Sequence, residues 1–370
     1  MTLPLDPAAV DRTRRPLTEA SQLPGPAFLD PAVLDWELEQ LFVREWICAG
    51  HVDQIREQGR FFTVDVAGES VIVVADDDGL PRAFVNTCRH RGARVMSEPE
   101  GLVKRLRCPY HSWTYNLDGT LRNASFTDGL EGFRMCDYGL HPVRLAVVEG
   151  LVLLDLSGEA PPPEAHVGDL GALLARYRTP DLRRHARHTY SVAANWKVIA
   201  ENYNECLHCP GVHPELNALS HYLSGEQMAG AGAWCGGSMT LAEGAETMGH
   251  GGRPAIVDTR DILYFALFPN ALISLHPDYV MLHTLWPRAI DRTDVVCEWF
   301  FEAGTEVTAD AVDFWDQVNR EDWGVCELTQ RGMRSRSYTP GRYTTQEDDV
   351  HHFDVMVADR YAAALAEVHA

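Results

Sequence analysis

Apolar and polar positions along the chain change period as they go. Leu34, Leu38, Leu41 and Phe42 recur three or four apart behind Asp30-Pro31, which predicts a capped helix running to about Glu45. From Gly59 to about Asp155 the texture is β. Short runs such as Phe61–Val66, Ser70–Val74 and Leu151–Asp155 are cut by the turns Asp76-Asp77-Asp78-Gly79 and Asp118-Gly119. Ser157 to Glu164 holds three prolines, which suit neither helix nor strand, and reads as a linker. Beyond it a helix is predicted from about Trp196 to Cys206, then strands over roughly 260–302, with Tyr264–Phe268 and Val295–Phe301 the most β-prone. Two helical stretches follow near 307–332 and 345–368. Residues 1–27, rich in proline and polar side chains, predict a flexible lead-in. The expectation is an α+β chain with a lead-in and helix over 1–45, a β domain over 46–156 and a second domain over 157–370.

Composition narrows the function classes. The 370 residues carry 45% apolar side chains, enough for a sizeable core, and a formal charge of -21. Such a chain is a poor partner for nucleic acid, which needs basic surface to release counterions, and for an anionic membrane. No run approaches the ~20 apolar residues of a membrane helix, and the N-terminal stretch lacks the apolar core of a signal peptide. A cytoplasmic location is expected. Nine cysteines are an odd number, too sparse for a disulfide scaffold, so their spacing relative to histidine matters more.

Two stretches concentrate metal-ligand chemistry. In the first, Cys88-x-His90 is followed after seventeen residues by Cys108-x-x-His111. Two loops each offering one thiolate and one imidazole supply four ligands. A structural zinc site uses the same atoms, but usually as paired cysteines and paired histidines; four unrelated core residues are the other alternative. With the trailing Trp113, these loops resemble those of Rieske ferredoxins and oxygenases, in which two thiolates hold one iron and two imidazoles the other.

The second stretch runs from Asn195 to Pro214. On a helix, Glu201, Glu205 and His208 fall along one face, and Pro210-Gly211 would end that helix and let His213 turn back. Two imidazoles with one carboxylate form the facial triad of Fe(II) oxygenases, which leaves positions open for dioxygen and substrate. Cys206-x-x-Cys209 offers two alternatives, a redox pair or the completion of a zinc site. Buried structural histidines are a third. Spacing does not choose the carboxylate.

Over nearly its whole length the chain resembles the α (oxygenase) subunit of Rieske non-haem iron oxygenases. The resemblance implies an all-β Rieske [2Fe–2S] domain followed by a catalytic domain with an antiparallel sheet surrounded by helices, helix-grip-like. It places Asp322, in Glu321-Asp322-Trp323, as the third Fe(II) ligand, with Glu321 and Asp316 as exposed helix acids. It also implies a homotrimer in which Glu205, three residues before His208, bridges to His111 of a neighbouring subunit. Glu205 stands where many ring-hydroxylating members have aspartate, a departure shared with members acting on quaternary ammonium compounds. Tyr264–Asn270, His276–Tyr279, Leu285–Pro287 and Gln330–Arg336 resemble the glycine betaine, carnitine and choline monooxygenase branch.

The reaction so implied is O2-dependent hydroxylation of an N-methyl group on a small, glycine betaine-like quaternary ammonium compound, giving demethylated amine and formaldehyde. Electrons would come from NAD(P)H through a flavin/ferredoxin-type reductase. Tyr203, Phe265, Phe268 and Trp286 are candidate walls of an aromatic box for the ammonium group. Seven of the 32 basic residues (Arg82, Arg89, Arg91, Arg94, Lys104, Arg105, Arg107) fall within 26 positions around the cluster loops. They suit either reductase docking or a subunit interface. An arene dihydroxylase is the rival enzyme, and a Rieske electron-transfer protein the rival from another class.

Overall fold

The computed structural model describes residues 3–228, 230–249 and 251–367. The chain forms two compact units, Leu38–Pro163 and a second made of Met1–Glu37 with Glu164–Ala370. Among the described residues no helix is long and apolar enough to cross a membrane.

The sheets of the 38–163 unit are all antiparallel. Strands β1 (Ile47–His51), β9 (Arg144–Val148) and β10 (Leu151–Asp155) make one sheet. Strands β2 (Arg60–Val66), β3 (Glu69–Ala75), β4 (Pro81–Val85) and β5 (Glu100–Leu102) make a second, and β6 (Leu106–Arg107), β7 (Thr114–Tyr115) and β8 (Leu121–Asn123) a third. In β3 only Glu69 is exposed, because this strand lies between β2 and β4 and covers both faces with Val and Ile. Phe61, Ile72, Val74, Phe84, Trp113 and Tyr115 form one core with Cys88 and Cys108, so the cysteine loops hang directly on packed side chains.

The other unit opens with α1 (Pro7–Thr13), α2 (Pro26–Leu29) and α3 (Pro31–Glu37). Residues 3–27 of the lead-in are therefore ordered, contrary to the expectation of flexibility: Asp6 caps α1, and Val10, Ala20 and Leu23 are fully buried, with α1 lying on the C-terminal helix; residues 1 and 2 lie outside the described residues. The predicted helix to Glu45 is regular only to Glu37 and continues as a wide turn over Leu38–Phe42. Glu37 is anchored in the core, where its carboxylate accepts from Lys197 Nζ at 2.5 Å and Trp196 Nε1 at 2.9 Å.

After α4 (Pro163–Val167) and α5 (Leu170–Arg176) comes β11 (Arg183–Val192), then α6 (Trp196–Tyr203), α7 (Cys209–Val212) and α8 (Pro214–Leu219). Strands β12 (Glu226–Gln227), β13 (Trp234–Thr240), β14 (Asp261–Leu267), β15 (Ala271–Leu275), β16 (Val280–Ala289) and β17 (Arg292–Phe301) join β11 in one antiparallel sheet. Its order is β11-β17-β16-β15-β14-β13-β12. Two long helices close the chain, α9 (Ala309–Met333) and α10 (Asp348–Glu367). Buried Ala311, Val312, Trp315, Val318 and Asn319 make an inward stripe on α9 at helical spacing. Helix α6 packs on both α9 and α10 and so positions the loop that follows it.

Candidate metal centres and their cavity

The two Cys–His loops are one turn built twice. Cys88 donates its N–H to Ala93 O (2.8 Å) and accepts from Gly92 N (2.9 Å); Cys108 donates to Trp113 O (2.9 Å) and accepts from Ser112 N (3.1 Å). The residue four beyond each cysteine is left-handed, Gly92 at φ 74° and Ser112 at φ 60°. On this shared frame the histidine sits two places after Cys88 and three after Cys108. His90 and His111 end with ring centroids 4.7 Å apart, and Trp113 stacks on His90 at 4.9 Å. Both cysteines are buried and both histidines exposed.

The sulfurs meet hydrogen-bond donors. Backbone N–H groups of Tyr110 and His111 point at Cys108. Tyr115 Oη accepts the Arg89 N–H at 3.0 Å, which leaves its own proton for Cys88 Sγ at 3.3 Å. Two donor-flanked thiols facing inward and two imidazoles facing outward fit a two-iron, two-sulfide cluster with its histidine iron nearer the surface.

In the other unit, α6 ends at Tyr203, earlier than the expected Cys206. Glu205 and His208 thus lie in the turn that follows, off the Glu201 face, and Pro210 starts the short α7 instead of ending a helix. Asn204 provides the stop, its side-chain amide donating back to Ala200 O at 2.8 Å. Asp322, on α9, receives both imidazoles: its Oδ1 lies 2.8 Å from His213 Nε2 and 3.2 Å from His208 Nε2. Ligand atoms of these three residues all fall within 4.8 Å of one another. Behind them, Glu205 Oε1 sits 2.5 Å from His208 Nδ1 and Glu321 Oε2 sits 2.6 Å from His213 Nδ1. Each imidazole is therefore oriented by a carboxylate, with Nε2 aimed at the shared point.

Electrostatics mark that point as a cation site. Burial pulls the His208 imidazole down, but hydrogen bonds to Asp322 and Glu205 outweigh it and push it up to about 10. His213 is raised in the same way, against burial, by Asp322 and then Glu321. Burial raises Asp322, yet the two imidazoles hold it below the usual carboxylate range. Two neutral imidazoles and a carboxylate around a divalent ion satisfy the same field without protons. The donor set, which leaves room for further ligands, is that of a non-haem Fe(II) centre.

Glu321, expected as an exposed helix acid, belongs to this assembly; its place next to Asp322 was the only signal for it. Asp316 does not belong: it accepts from Tyr190 Oη at 2.6 Å and pairs with Arg320 at 2.8 Å. Cys206 and Cys209 are bonded to each other as a disulfide, which removes both from a zinc ligand set.

A cavity of about 190 Å³ opens onto the triad. Of the four expected aromatic walls only Tyr203 lines it. Phe265 packs in the core against Trp234, Phe268 against Trp196 and Phe353, and Trp286 is buried on β16. The reason is strand alternation: Tyr264 lines the cavity, so its neighbour Phe265 faces the opposite side of the sheet. Tyr264, Tyr222 and Trp315 supply the aromatic lining that the sequence pattern did not single out. In the other unit, the seven-residue basic cluster is partly neutralised. Arg82 pairs with Asp76 (2.8 Å), Arg94 with Asp65 (2.9 Å) and Arg105 with Asp77 (3.3 Å).

Known proteins share both units. Residues 45–134 match the Rieske [2Fe-2S] domain, and residues 179–363 match the ring hydroxylating alpha subunit catalytic domain. The glycine betaine monooxygenase oxygenase subunit of Pseudomonas aeruginosa is 28% identical, over 98% of this chain and 95% of its own length. The carnitine monooxygenase oxygenase subunit of Escherichia coli K12 is 30% identical, over 86% of each chain. The solved structure of a quaternary ammonium Rieske monooxygenase superposes with a TM-score of 0.86 at 24% identity, covering 97% of this chain and 100% of that one. The chain therefore belongs to the Rieske non-haem iron oxygenases as an α (oxygenase) subunit, an enzyme that carries a [2Fe–2S] cluster and a mononuclear iron and draws electrons from a reductase.

Proposed function

We propose that the chain is a monooxygenase hydroxylating an N-methyl group of a small quaternary ammonium compound, with release of formaldehyde and the demethylated amine. The observation that carries this reading is the cavity beside the triad, lined by Tyr203, Tyr264, Trp315 and acidic side chains, which suits a methylated cation. The names of the glycine betaine, carnitine and choline monooxygenase relatives support it.

Cys88, His90, Cys108 and His111 hold the [2Fe–2S] cluster, and His208, His213 and Asp322 hold Fe(II). When bound, the iron supplies reductive activation of O2, with one oxygen atom entering a C–H bond and the other leaving as water. Glu205 and Glu321 orient the two imidazoles through Nδ1. The aromatic walls hold the ammonium group and exclude water. The hydroxymethyl product then breaks its C–N bond, the hydroxyl proton leaves, and the electron pair returns to nitrogen.

In a homotrimer Glu205 would connect His208 to His111 of a neighbouring subunit, which accounts for a carboxylate placed between centres that must exchange electrons. A flavin/ferredoxin-type reductase fed by NAD(P)H would dock at the basic residues without an intramolecular acid, Arg91 and Lys104 foremost, in the cytoplasm. Charge reversal at both should raise the reductase concentration needed for half-maximal rate.

The test is a formaldehyde-release screen over choline, glycine betaine, carnitine and simple arenes with a surrogate reductase. Formaldehyde from an ammonium compound is the expected result; a cis-diol from an arene, without formaldehyde, sinks the reading.

A further inference from the structure

The cavity wall formed by β12, β13 and the start of α10 carries charge of one sign. Glu226, Asp348 and Asp349 all line it, and among the described residues no lysine or arginine does. Asp349 is the best defined of the three. The Gln227 side chain and the Gly236 backbone favour its ionised form, and its Oδ2 lies 3.3 Å from where a Cβ on Gly237 would stand. The bare glycine at 237 thus leaves room for the carboxylate beside the strand. Its Oδ1 is shielded from solvent and has no partner. Burial, with Asp348 adding to it, pushes this carboxyl up to about 6, so it is mostly ionised at pH 7 and above. Asp349 therefore adds a negative charge to the cavity wall beside Glu226 and Asp348.

The ligands suited to this wall differ sharply. A trimethylammonium compound ending in a hydroxyl offers positive charge and a neutral tail. A betaine ends in a carboxylate, which would be brought against three like charges with no basic side chain to receive it. We propose that the cavity selects an ammonium cation that carries no carboxylate, with Asp349 as the residue that rejects betaine-type zwitterions and balances the cation's charge. This rests on the quaternary ammonium reading above and narrows it.

The experiment is calorimetric binding to the iron-loaded holoenzyme with choline, tetramethylammonium and glycine betaine as probes, which share methylated heads and differ in the tail. Choline and tetramethylammonium should bind at least about tenfold more tightly than glycine betaine, a difference read on the unmodified protein. Asp349→Asn should weaken choline by about tenfold or more and leave glycine betaine unchanged or tighter. Asp349→Glu should keep the preference. Glycine betaine binding as tightly as choline overturns the inference but leaves the ammonium reading standing, as does an equal effect of Asp349→Asn on both ligands. Naphthalene binding with no ammonium compound bound removes both.

Discussion

The Cys–His loops at 88–93 and 108–113 and the triad at 208, 213 and 322 hold similar ligands by different means. Each loop is a short turn closed by its own backbone, with the left-handed residue and the buried cysteine supplied within six positions. The triad takes His208 from the turn after α6, His213 from the joint between α7 and α8, and the third ligand from α9, 109 residues beyond His213, and relies on Glu205 and Glu321 to aim the imidazoles. A locally closed site needs little from the rest of the fold. A site assembled from distant elements depends on how α6 and α9 pack, and on carboxylates behind the ligands.

Removing the distant ligand should therefore separate the centres most completely. Asp322→Ala leaves two imidazoles without the carboxylate that gathers them. Activity should fall by roughly a thousandfold or more. Iron should drop by one from the roughly three per chain expected for cluster plus triad, with the cluster's visible absorbance unchanged. Retained activity would refute Asp322 as a ligand. Glu321→Ala acts one step further out, on His213 Nδ1, and should cost roughly 10–100-fold in iron affinity or turnover, with Glu321→Gln intermediate because its amide oxygen still accepts. An alanine variant with full iron content and rate would show that the packing of α7 and α9 orients His213 unaided.

How much of this was legible depends on the same difference. The paired Cys–His loops could be read from spacing because the turn that presents them is local. His208 and His213 were readable as a pair, but the helix assigned to Glu205 and His208 was not, because Asn204 caps α6 through a side-chain bond that periodicity does not see. Asp322 needed resemblance, since acids are plentiful along α9, and Glu321 is marked only by its contact with His213 Nδ1. Three of the four expected aromatic walls lie elsewhere, and for Phe265 the reason is simple: a strand's two faces differ by one residue, so periodicity alone does not separate it from Tyr264. The order of residues 3–27 was missed because its buried apolar side chains, among them Val10, Ala20 and Leu23, are scattered between polar positions and pack on distant segments, as Ala20 does on Tyr343 and Val350.

Carboxyl groups buried beyond the triad set the next effect. Asp354 is pushed up to about 7, first by burial, with Tyr343, Glu201 and Lys197 as neighbours pulling the other way. Glu201 is raised well above its ordinary value by burial and by Asp354. A carboxyl whose folded value exceeds its unfolded value, ordinarily near 3.8 for aspartate, binds the proton more tightly when folded. Its contribution is complete below about pH 4 and is lost as pH rises through about 7. Asp354→Asn, which cannot titrate, should flatten the fall in unfolding temperature between about pH 4 and 7. An unchanged slope would place the linked proton elsewhere.

The smallest effect tests whether the loop site is as self-contained as its turns suggest. Tyr115 Oη accepts from the Arg89 N–H and gives its proton to Cys88 Sγ, so Tyr115→Phe removes one hydrogen bond to a cluster sulfur and leaves the ring in the core. That bond is stronger when the cluster carries the extra electron, so its loss should lower the midpoint potential. At about 1 kcal/mol per bond and ~59 mV per tenfold for one electron, the expected drop is roughly 40 mV. The measurement is a redox titration followed by visible circular dichroism, with the mononuclear iron content as the control. A drop of that size with the iron retained would show that the loops' own hydrogen bonds set the potential. No shift would mean that burial and net charge dominate, and that the cluster leans on the surrounding unit as heavily as the triad leans on α6 and α9.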